Sequence, residues 1–318
     1  YNSCAGGGEN RDASSASIYG SRASNGVIII TTKKGKAGKM RINFSTYTSI
    51  SDYSTKLEVM NANQFGQALW QANINDGLDP NNNNLRYQFD WSVNNNKPQL
   101  NRVLVPEYLD SNQTLKSSNT DWYDEISQTG IANSYDLSVS NASDKGSYVF
   151  SLGYYGNEGV VKTTDFQRIS ARMNGSYKYF DGKLVIGENF SFNRTNEVSG
   201  PGVLDPALRA LPIISVRTVD GKGWGGPVGG MNDRQNPVRL LEYNKDNKYD
   251  YLRLFGNMYA DLEVVKNLHI KSSFGIDYGS YKKRTLQRSY QSGYLQNDQT
   301  SVTIDQSVSD KWTWSNTA

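Results

Sequence analysis

The sequence predicts an all-β chain built from the antiparallel strands of a transmembrane barrel. Three observations carry this: strict two-residue alternation, segments of about ten residues, and connections whose lengths sort by side. In Gln167 to Lys178, Ile169, Ala171, Met173, Gly175 and Tyr177 share one face, against Arg168, Ser170, Arg172, Asn174, Ser176 and Lys178. Tyr251 to Val264 sets Leu252, Leu254, Gly256, Met258, Ala260, Leu262 and Val264 against Arg253, Phe255, Asn257, Tyr259, Asp261 and Glu263. Tyr148, Phe150, Leu152 and Tyr154 alternate likewise, as do Ile270, Ser272, Phe274, Ile276 and Tyr278.

Strands are expected at about 40–52, 134–142, 146–156, 166–179, 183–195, 249–264, 268–281 and 300–315. Tight turns rich in Asp, Gly and Asn join some of them: Ser143 to Gly146, Tyr179 to Gly182 and Val265 to Asn267. Long connections fall between the rest, at 53–133, 157–165, 196–248 and 282–299. A soluble sandwich also alternates along its strands, but nothing obliges it to keep short turns at one end and long loops at the other. Glu188 breaks the pattern by sharing the parity of Leu184, Ile186, Phe190 and Phe192, so a bulge or a position near the rim is expected there.

Composition agrees. Only 36% of the 318 residues are hydrophobic, yet there are 21 Tyr and 29 Gly, and the mean hydropathy is −0.65. A barrel can be this polar because lumen-facing positions alternate with lipid-facing ones. Aromatics at 12% argue against disorder. A net charge of +3 with no basic, aromatic-interleaved stripe argues against nucleic acid as a partner. The single cysteine, Cys4, excludes an internal disulfide framework, and the single histidine, His269, makes a His-based metal site or a Ser-His-Asp triad improbable. No apolar run of about 18 residues is present for a membrane-crossing helix, and no signal peptide is visible.

The first long connection holds a helical pattern in Met60 to Ile74, where Phe65, Leu69 and Ala72 share a face and Asn61 or Asn63 can cap the start. Asn81 to Asn84 reads as a turn or flexible loop. Leu204 to Ile214 reads as a short helix broken by Pro212, and Gly221 to Pro227 as irregular.

No catalytic constellation stands out, so the chain is read as a non-enzyme with no cofactor and no metal. Asp121, Asp124 and Glu125 have the composition of a glycosidase carboxylate pair, but their closeness on a turn suits a solvated rim. Asp79, Asn81 and Asn83 alternate like calcium ligands without the bidentate Glu that such a loop needs. Gly223 to Gly230 lacks the Lys-Ser/Thr ending of a phosphate loop. Trp312 and Trp314 share a face near a strand end, as in an aromatic girdle at a bilayer interface. Trp91 and Trp224 lie in long polar loops, where an apolar ring needs packing or a ligand. Loop packing is the simpler account. The glycine-rich frame around Trp224 makes it the first candidate for substrate contact, followed by Trp91, and His269 is expected at the short-turn end.

One further segment is distinctive. Asp12 to Lys36 (DASSASIYGSRASNGVIIITTKKGK) runs from small residues through Tyr19, Gly20 and Arg22 to a tight Asn25-Gly26 turn, then the apolar Val27 to Ile30 and a basic exit. Asn-Gly supplies the positive φ of a sharp turn, and the apolar run suits a strand buried on both faces. This segment resembles the end of the plug domain in SusC/RagA-type TonB-dependent outer-membrane transporters. The resemblance continues through Thr120 to Glu125 with Tyr135 to Ser140, Leu152 to Tyr155 with Glu158 to Val161, Phe166 to Arg168, Arg172 to Asn174, Asn236-Pro237, Ser273 to Gly275 and Trp312 to Trp314.

The resemblance implies a plug end over residues 1–36, with 1–11 unassigned, followed at 37–318 by the N-terminal part of a larger transmembrane barrel, about its first eight strands, with long extracellular loops. It implies the plug motif Asp12, Tyr19, Gly20, Arg22, Asn25 and Gly26; Arg22, the one charged side chain in the small-residue segment, is expected to pair with a carboxylate of the plug or wall. It also implies active import of glycan or peptide oligomers at the outer membrane, in contact with its lipid. A SusD-like surface lipoprotein and the TonB-ExbB-ExbD complex would be the partners. Because so little precedes Asp12 and only eight strands follow, an internal piece of a longer protein is expected. Two other classes remain: a surface or soluble β-rich glycan-binding module without transport, and a passive porin-like channel. A folded segment feeding the first strand speaks against the porin.

Overall fold

In the computed structural model, residues 4–10, 27–32, 35, 38–53 and 57–318 are described. Strands β1 (Cys4–Asn10) and β2 (Val27–Thr32) form a two-stranded antiparallel sheet, as do the short β12 (Tyr290–Ser292) and β13 (Leu295–Asn297). The dominant element is an eight-stranded antiparallel sheet made of β3 (Arg41–Ser51), β6 (Gly130–Ser143), β7 (Gly146–Glu158), β8 (Asp165–Tyr179), β9 (Leu184–Val198), β10 (Lys248–Val265), β11 (Leu268–Gln287) and β14 (Ser301–Thr317). Within the sheet each strand lies beside its sequence neighbour, so the wall is a meander with β3 and β14 at its two edges. Among the described residues it is an open sheet.

All eight expected strands are present. They extend past the expected limits mainly at the long-loop end, where residues such as Asn157, Glu197 and Arg284 continue the ladder. Polar side chains there weaken the alternation signal while the backbone pairing goes on. The connection after β7 is tighter than expected, only residues 159–164, pinned by a bridge from Val161 to Ser127.

Register sorts the side chains into two faces. One ladder row reads Ile42, Val139, Phe150, Met173, Phe190, Gly256, Ile276 and Trp312 across the sheet. The alternate row is Asn43, Ser138, Ser151, Arg172, Ser191, Phe255, Asp277 and Lys311. The apolar face is left open to its surroundings, with Phe44, Leu152, Phe274, Trp312 and Trp314 exposed on it. The period of two makes this all-or-none, since a one-residue slip would exchange the faces. Among the described residues no helix is long and apolar enough to cross a membrane; the strands carry the amphipathicity instead.

Glu188 needs no bulge. The ladder is continuous through β9, with Glu188 between Gly175 and Met258 on the apolar face, four residues from the start of the strand at Leu184. Gly175 makes the room: a Cβ there would lie 2.2 Å from the Glu188 Oε1.

The buried hydrophobic core lies in the loops. Helix α1 (Ala62–Asn75), the hairpin β4 (Gln88–Asn94) with β5 (Lys97–Leu104), and the short helices α2 (Trp122–Ile126), α3 (Leu204–Arg209) and α4 (Pro237–Asn244) share one cluster. It includes Trp70, Tyr87, Phe89, Trp122, Ile213 and Leu241. The long loops are therefore a folded cap on one end of the wall. Asn61 caps α1 by accepting from the Gln64 amide at 2.9 Å, and Gln64 returns the bond to the Asn61 amide. The expected turn at Asn81 to Asn84 is held by its own side chains. Asn81 accepts from the Phe89 amide at 2.7 Å, and the Asn83 amide donates to the Pro80 and Tyr87 carbonyls.

Candidate functional site

Two surfaces are candidates for function: the polar face of the wall and the cap above it. On the polar face, tyrosines and charged residues alternate across β10, β11 and β14. Tyr251 pairs with Tyr281, Arg253 with Gly279, and Asp277 with Lys311. Arg253, the register partner of Gly279, reaches diagonally to hold Asp277 through two parallel bonds, Nε to Oδ1 at 3.0 Å and Nη2 to Oδ2 at 2.9 Å. These residues, with Ser307 and Ser309, line a recess of about 350 Å³. Nearer the short turns, His269 Nδ1 lies 2.9 Å from Asp261 Oδ1, and Lys271 sits over the Tyr259 ring at 4.6 Å. His269 is thus at the short-turn end, on the polar face.

In the cap, Trp224 is buried, with 6% of its surface exposed. The Arg217 guanidinium lies 3.5 Å above its ring, Tyr243 meets it edge-on at 5.9 Å, and its Nε1 donates to the Tyr243 hydroxyl at 3.2 Å. The stack continues through Arg239, itself buried, which sits 3.5 Å above the Tyr290 ring. Burial pushes the Arg239 guanidinium pKa down. The glycine frame serves this packing. A Cβ on Gly225 would fall 1.6 Å from the Ser215 carbonyl oxygen, and one on Gly226 would fall 2.2 Å from that of Ser292. Asn236 and Ser292 complete the closure by donating to the Gly225 carbonyl at 2.9 and 2.7 Å. Gly225→Ala is therefore expected to cost at least about 1–3 kcal/mol through overpacking. Faster proteolysis of the cap than in the unaltered protein is the readout.

Trp91 differs. It is partly buried, packed on the edge of the core cluster from strand β4. Trp91 and Trp224 lie on separate cap elements, and no contact joins their rings. Asp121, read as part of a solvated carboxylate group, caps α2 by accepting from the Tyr123 and Asp124 amides, both at 3.1 Å. Asn81 and Asn83 commit their side chains to backbone groups, which removes the calcium-like pattern from consideration as a preformed ligand set. The plug motif residues Asp12, Tyr19, Gly20, Arg22, Asn25 and Gly26, and the basic exit Lys33, Lys34 and Lys36, lie outside the described residues. Gly35, between β2 and β3, rests against the Asn141 and Tyr148 carbonyls at the short-turn end of the wall.

The arginine–aromatic stack escaped sequence reasoning because its members are spread from Arg217 to Tyr290. Its one local signal was Asn236-Pro237, a helix start with Asn as N-cap and Pro in the first turn. An ion pair ties the same region to the wall: Asp246, just past α4, meets Arg288, just past β11, at 2.5 Å. The Arg288 hydrogen bond lowers the Asp246 pKa below the ordinary carboxylate value. The sign follows: this stabilisation is present above the unfolded carboxylate pKa, about 3.9, and is lost as pH falls through the lower folded value. Cap proteolysis measured down through that range should rise in the unaltered protein, and Asp246→Asn should remove that part of the pH dependence.

A meander of long amphipathic strands, with short turns at one end and a folded cap at the other, defines the class of outer-membrane β-barrel walls. No protein-family model matches the chain. Among curated proteins it is similar to TonB-dependent receptor P3 of Formosa agariphila, 27% identical over 292 residues, covering 87% of this chain and 25% of the relative. It is also similar to TonB-dependent receptor SusC of Bacteroides thetaiotaomicron, 28% identical over 309 residues, covering 89% of this chain and 27% of the relative. In fold it matches the RagAB peptide importer in its open-open state, with a TM-score of 0.66 at 21% identity over 98% of this chain and 35% of that one. The closed-closed state gives 0.62 at 21% identity over 90% of this chain and 33% of that one. The chain spans about a quarter of the length of these curated relatives. Over that part, it resembles the SusC/RagA type of TonB-dependent transporter in sequence and in fold.

Proposed function

We propose that this chain forms part of the wall and cap of an importer that carries nutrient oligomers, glycan or peptide, across a bacterial outer membrane. TonB-ExbB-ExbD would supply the energy and a SusD-like surface lipoprotein would deliver the substrate. The observation that carries the reading is the two-faced sheet: eight long strands with an uncovered apolar face on one side and Tyr, Ser, Arg and Asp on the other. A water-soluble binding module would expose that apolar face at a large cost in free energy. In bilayer lipid the same exposure is favourable.

In this reading residues 1–36 end the plug and 37–318 begin the wall. The plug motif of this reading, Asp12, Tyr19, Gly20, Arg22, Asn25 and Gly26, lies outside the described residues. Of the two loop tryptophans, Trp91 is the better placed for substrate, since its ring is only partly covered; Trp224 acts by holding the cap's shape. The relatives are named as receptors and the fold match as a peptide importer, so the chain is read as a transporter and not an enzyme.

The test is to solubilise outer membranes in mild detergent, purify the native protein carrying this chain and identify every co-purifying polypeptide by mass spectrometry. A surface lipoprotein in the complex, with nutrient uptake that stops when TonB is deleted, is the expected result. Recovery from the detergent-free soluble fraction would overturn the reading.

A further inference from the structure

The apolar face of the wall changes character at the long-loop end of β10 and β11. Through the middle of these strands its ladder rows are Met258 with Phe274, Gly256 with Ile276 and Leu254 with Tyr278. Beyond Leu252 and Ser280 the same face carries Asp250 opposite Lys282, then Lys248 opposite Arg284. Arg194 joins them from β9, meeting Asp250 through Nε to Oδ1 at 3.4 Å and Nη2 to Oδ2 at 2.7 Å. The register is unbroken along this stretch, so the charged rows border the apolar ones directly. β10 lies between β9 and β11, and β11 between β10 and β14, so the patch does not sit at an edge of the sheet.

The patch is basic even when the carboxylates that its cations meet are counted. Asp250 is shared between Arg194 and its register partner Lys282. Asp246 is bonded to Arg288 and lies within reach of the Arg284 charge; Lys245 beside it pairs with Glu242. Five cations, Arg194, Lys248, Lys282, Arg284 and Arg288, thus stand against two carboxylates, a net of +3. On β7 and β8 the long-loop end of this face carries Glu158 opposite Asp165, which confines the basic character to β10 and β11. Lys248 and Arg284 are exposed register partners of like charge, an arrangement that destabilises a strand pair. An anion lying between them would offset that repulsion, and a phosphate suits both an ammonium and a guanidinium.

We infer that Lys248, Lys282 and Arg284 form a site for the phosphate groups of an outer-leaflet lipid, whose acyl chains lie along Leu252, Leu254 and Phe192. Basic side chains bordering an apolar, lipid-facing surface are the chemistry that holds an anionic headgroup. The inference rests on the importer reading, which turns the long-loop end outward, and adds to it one class of bound lipid.

The experiment uses the native full-length protein, washed free of lipid in detergent. It is mixed with bis-phosphorylated lipid A or with the same lipid after phosphatase treatment, and retention is measured by native mass spectrometry. The phosphorylated lipid is expected to be retained at least about tenfold more strongly. Combining Lys248→Gln, Lys282→Gln and Arg284→Gln should abolish that preference and leave retention of the dephosphorylated lipid unchanged. Lys248→Arg with Lys282→Arg should keep the preference, and the heat-dependent gel mobility shift should persist in every variant. Equal retention of the two lipids, or an unchanged preference in the triple variant, overturns the site. Displacement by millimolar inorganic phosphate would make it a free-anion site, and an acidic polypeptide lost only from the triple variant would make it a protein interface; either overturns the lipid assignment. TonB-dependent nutrient uptake, assayed in parallel, separates this failure from the other. Uptake that persists without a lipid preference removes only the lipid site, and loss of TonB dependence removes the importer reading itself.

Discussion

Trp122→Ala is expected to open the loop cap while leaving the eight-stranded wall intact. Trp122 is 2% exposed, sits in the one cluster shared by α1, α3, α4 and the β4–β5 hairpin, and donates from Nε1 to the Leu211 carbonyl at 3.1 Å. Truncating a buried Trp to Ala costs about 3–5 kcal/mol through lost burial and the cavity left behind. The freed Leu211 carbonyl adds to that penalty. The cap's contacts lie mostly among its own elements, so the loss should stay local. Limited proteolysis from the loop side should accelerate by two orders of magnitude or more. The heat-dependent gel mobility shift of the folded wall should be retained. Loss of both together would mean that cap and wall unfold as one unit.

Phe190→Arg is the second large effect, and it tests which face meets lipid. Phe190 lies in the middle of β9 on the apolar face, between Met173 and Gly256 in the ladder. An arginine near the bilayer midplane on the lipid face of a barrel costs about 2–4 kcal/mol. The adjacent Asn189 belongs to the polar face, where its amide meets Asn257 at 3.4 Å. Asn189→Arg should change stability by no more than about 0.5 kcal/mol, the usual range for a surface substitution. Denaturant unfolding of both variants in lipid vesicles gives the comparison. Equal costs for the two would show that the apolar face does not meet lipid.

The two variants differ by a single position in the chain, and that is why so much of the wall was legible. A strand buried or lipid-facing on one side must write its face in every second residue, so Ile169 to Tyr177 and Leu252 to Val264 declare strand and face locally. The ends were less legible, because Glu197 or Arg284 continues the ladder with side chains that carry no facial signal. Helix α1 was readable from its own periodicity and its asparagine cap. Helix α2 was missed, although Asp121 followed by Asp124 and Glu125 in the first turn is a helix-start signal. The β4–β5 hairpin was missed too, with Asn95 and Asn96 both at positive φ marking its turn.

The candidate sites divide in the same way. Alternation placed Arg253 on the face opposite Leu252 and Leu254, since parity alone settles that. It could not say that Arg253 would reach Asp277, because cross-strand neighbours depend on register between segments 24 residues apart. Trp224 makes the point most clearly. In the sequence, a tryptophan in a glycine-rich polar loop has packing as its simpler account and substrate contact as its candidate role. In the fold, the same glycines let Ser215 and Ser292 close on the backbone and let Arg217 cover the ring.

By itself, then, the sequence determined the strands, their faces and the end at which the loops are long, because those follow from a period of two and from turn chemistry. Only the tertiary structure decided that the loops fold into a cap with its own core, that Glu188 stands on the apolar face over Gly175, and that Arg253 pairs with Asp277. Each of these joins segments that are far apart in the chain, and the side chains at one position carry no record of which distant partner will arrive.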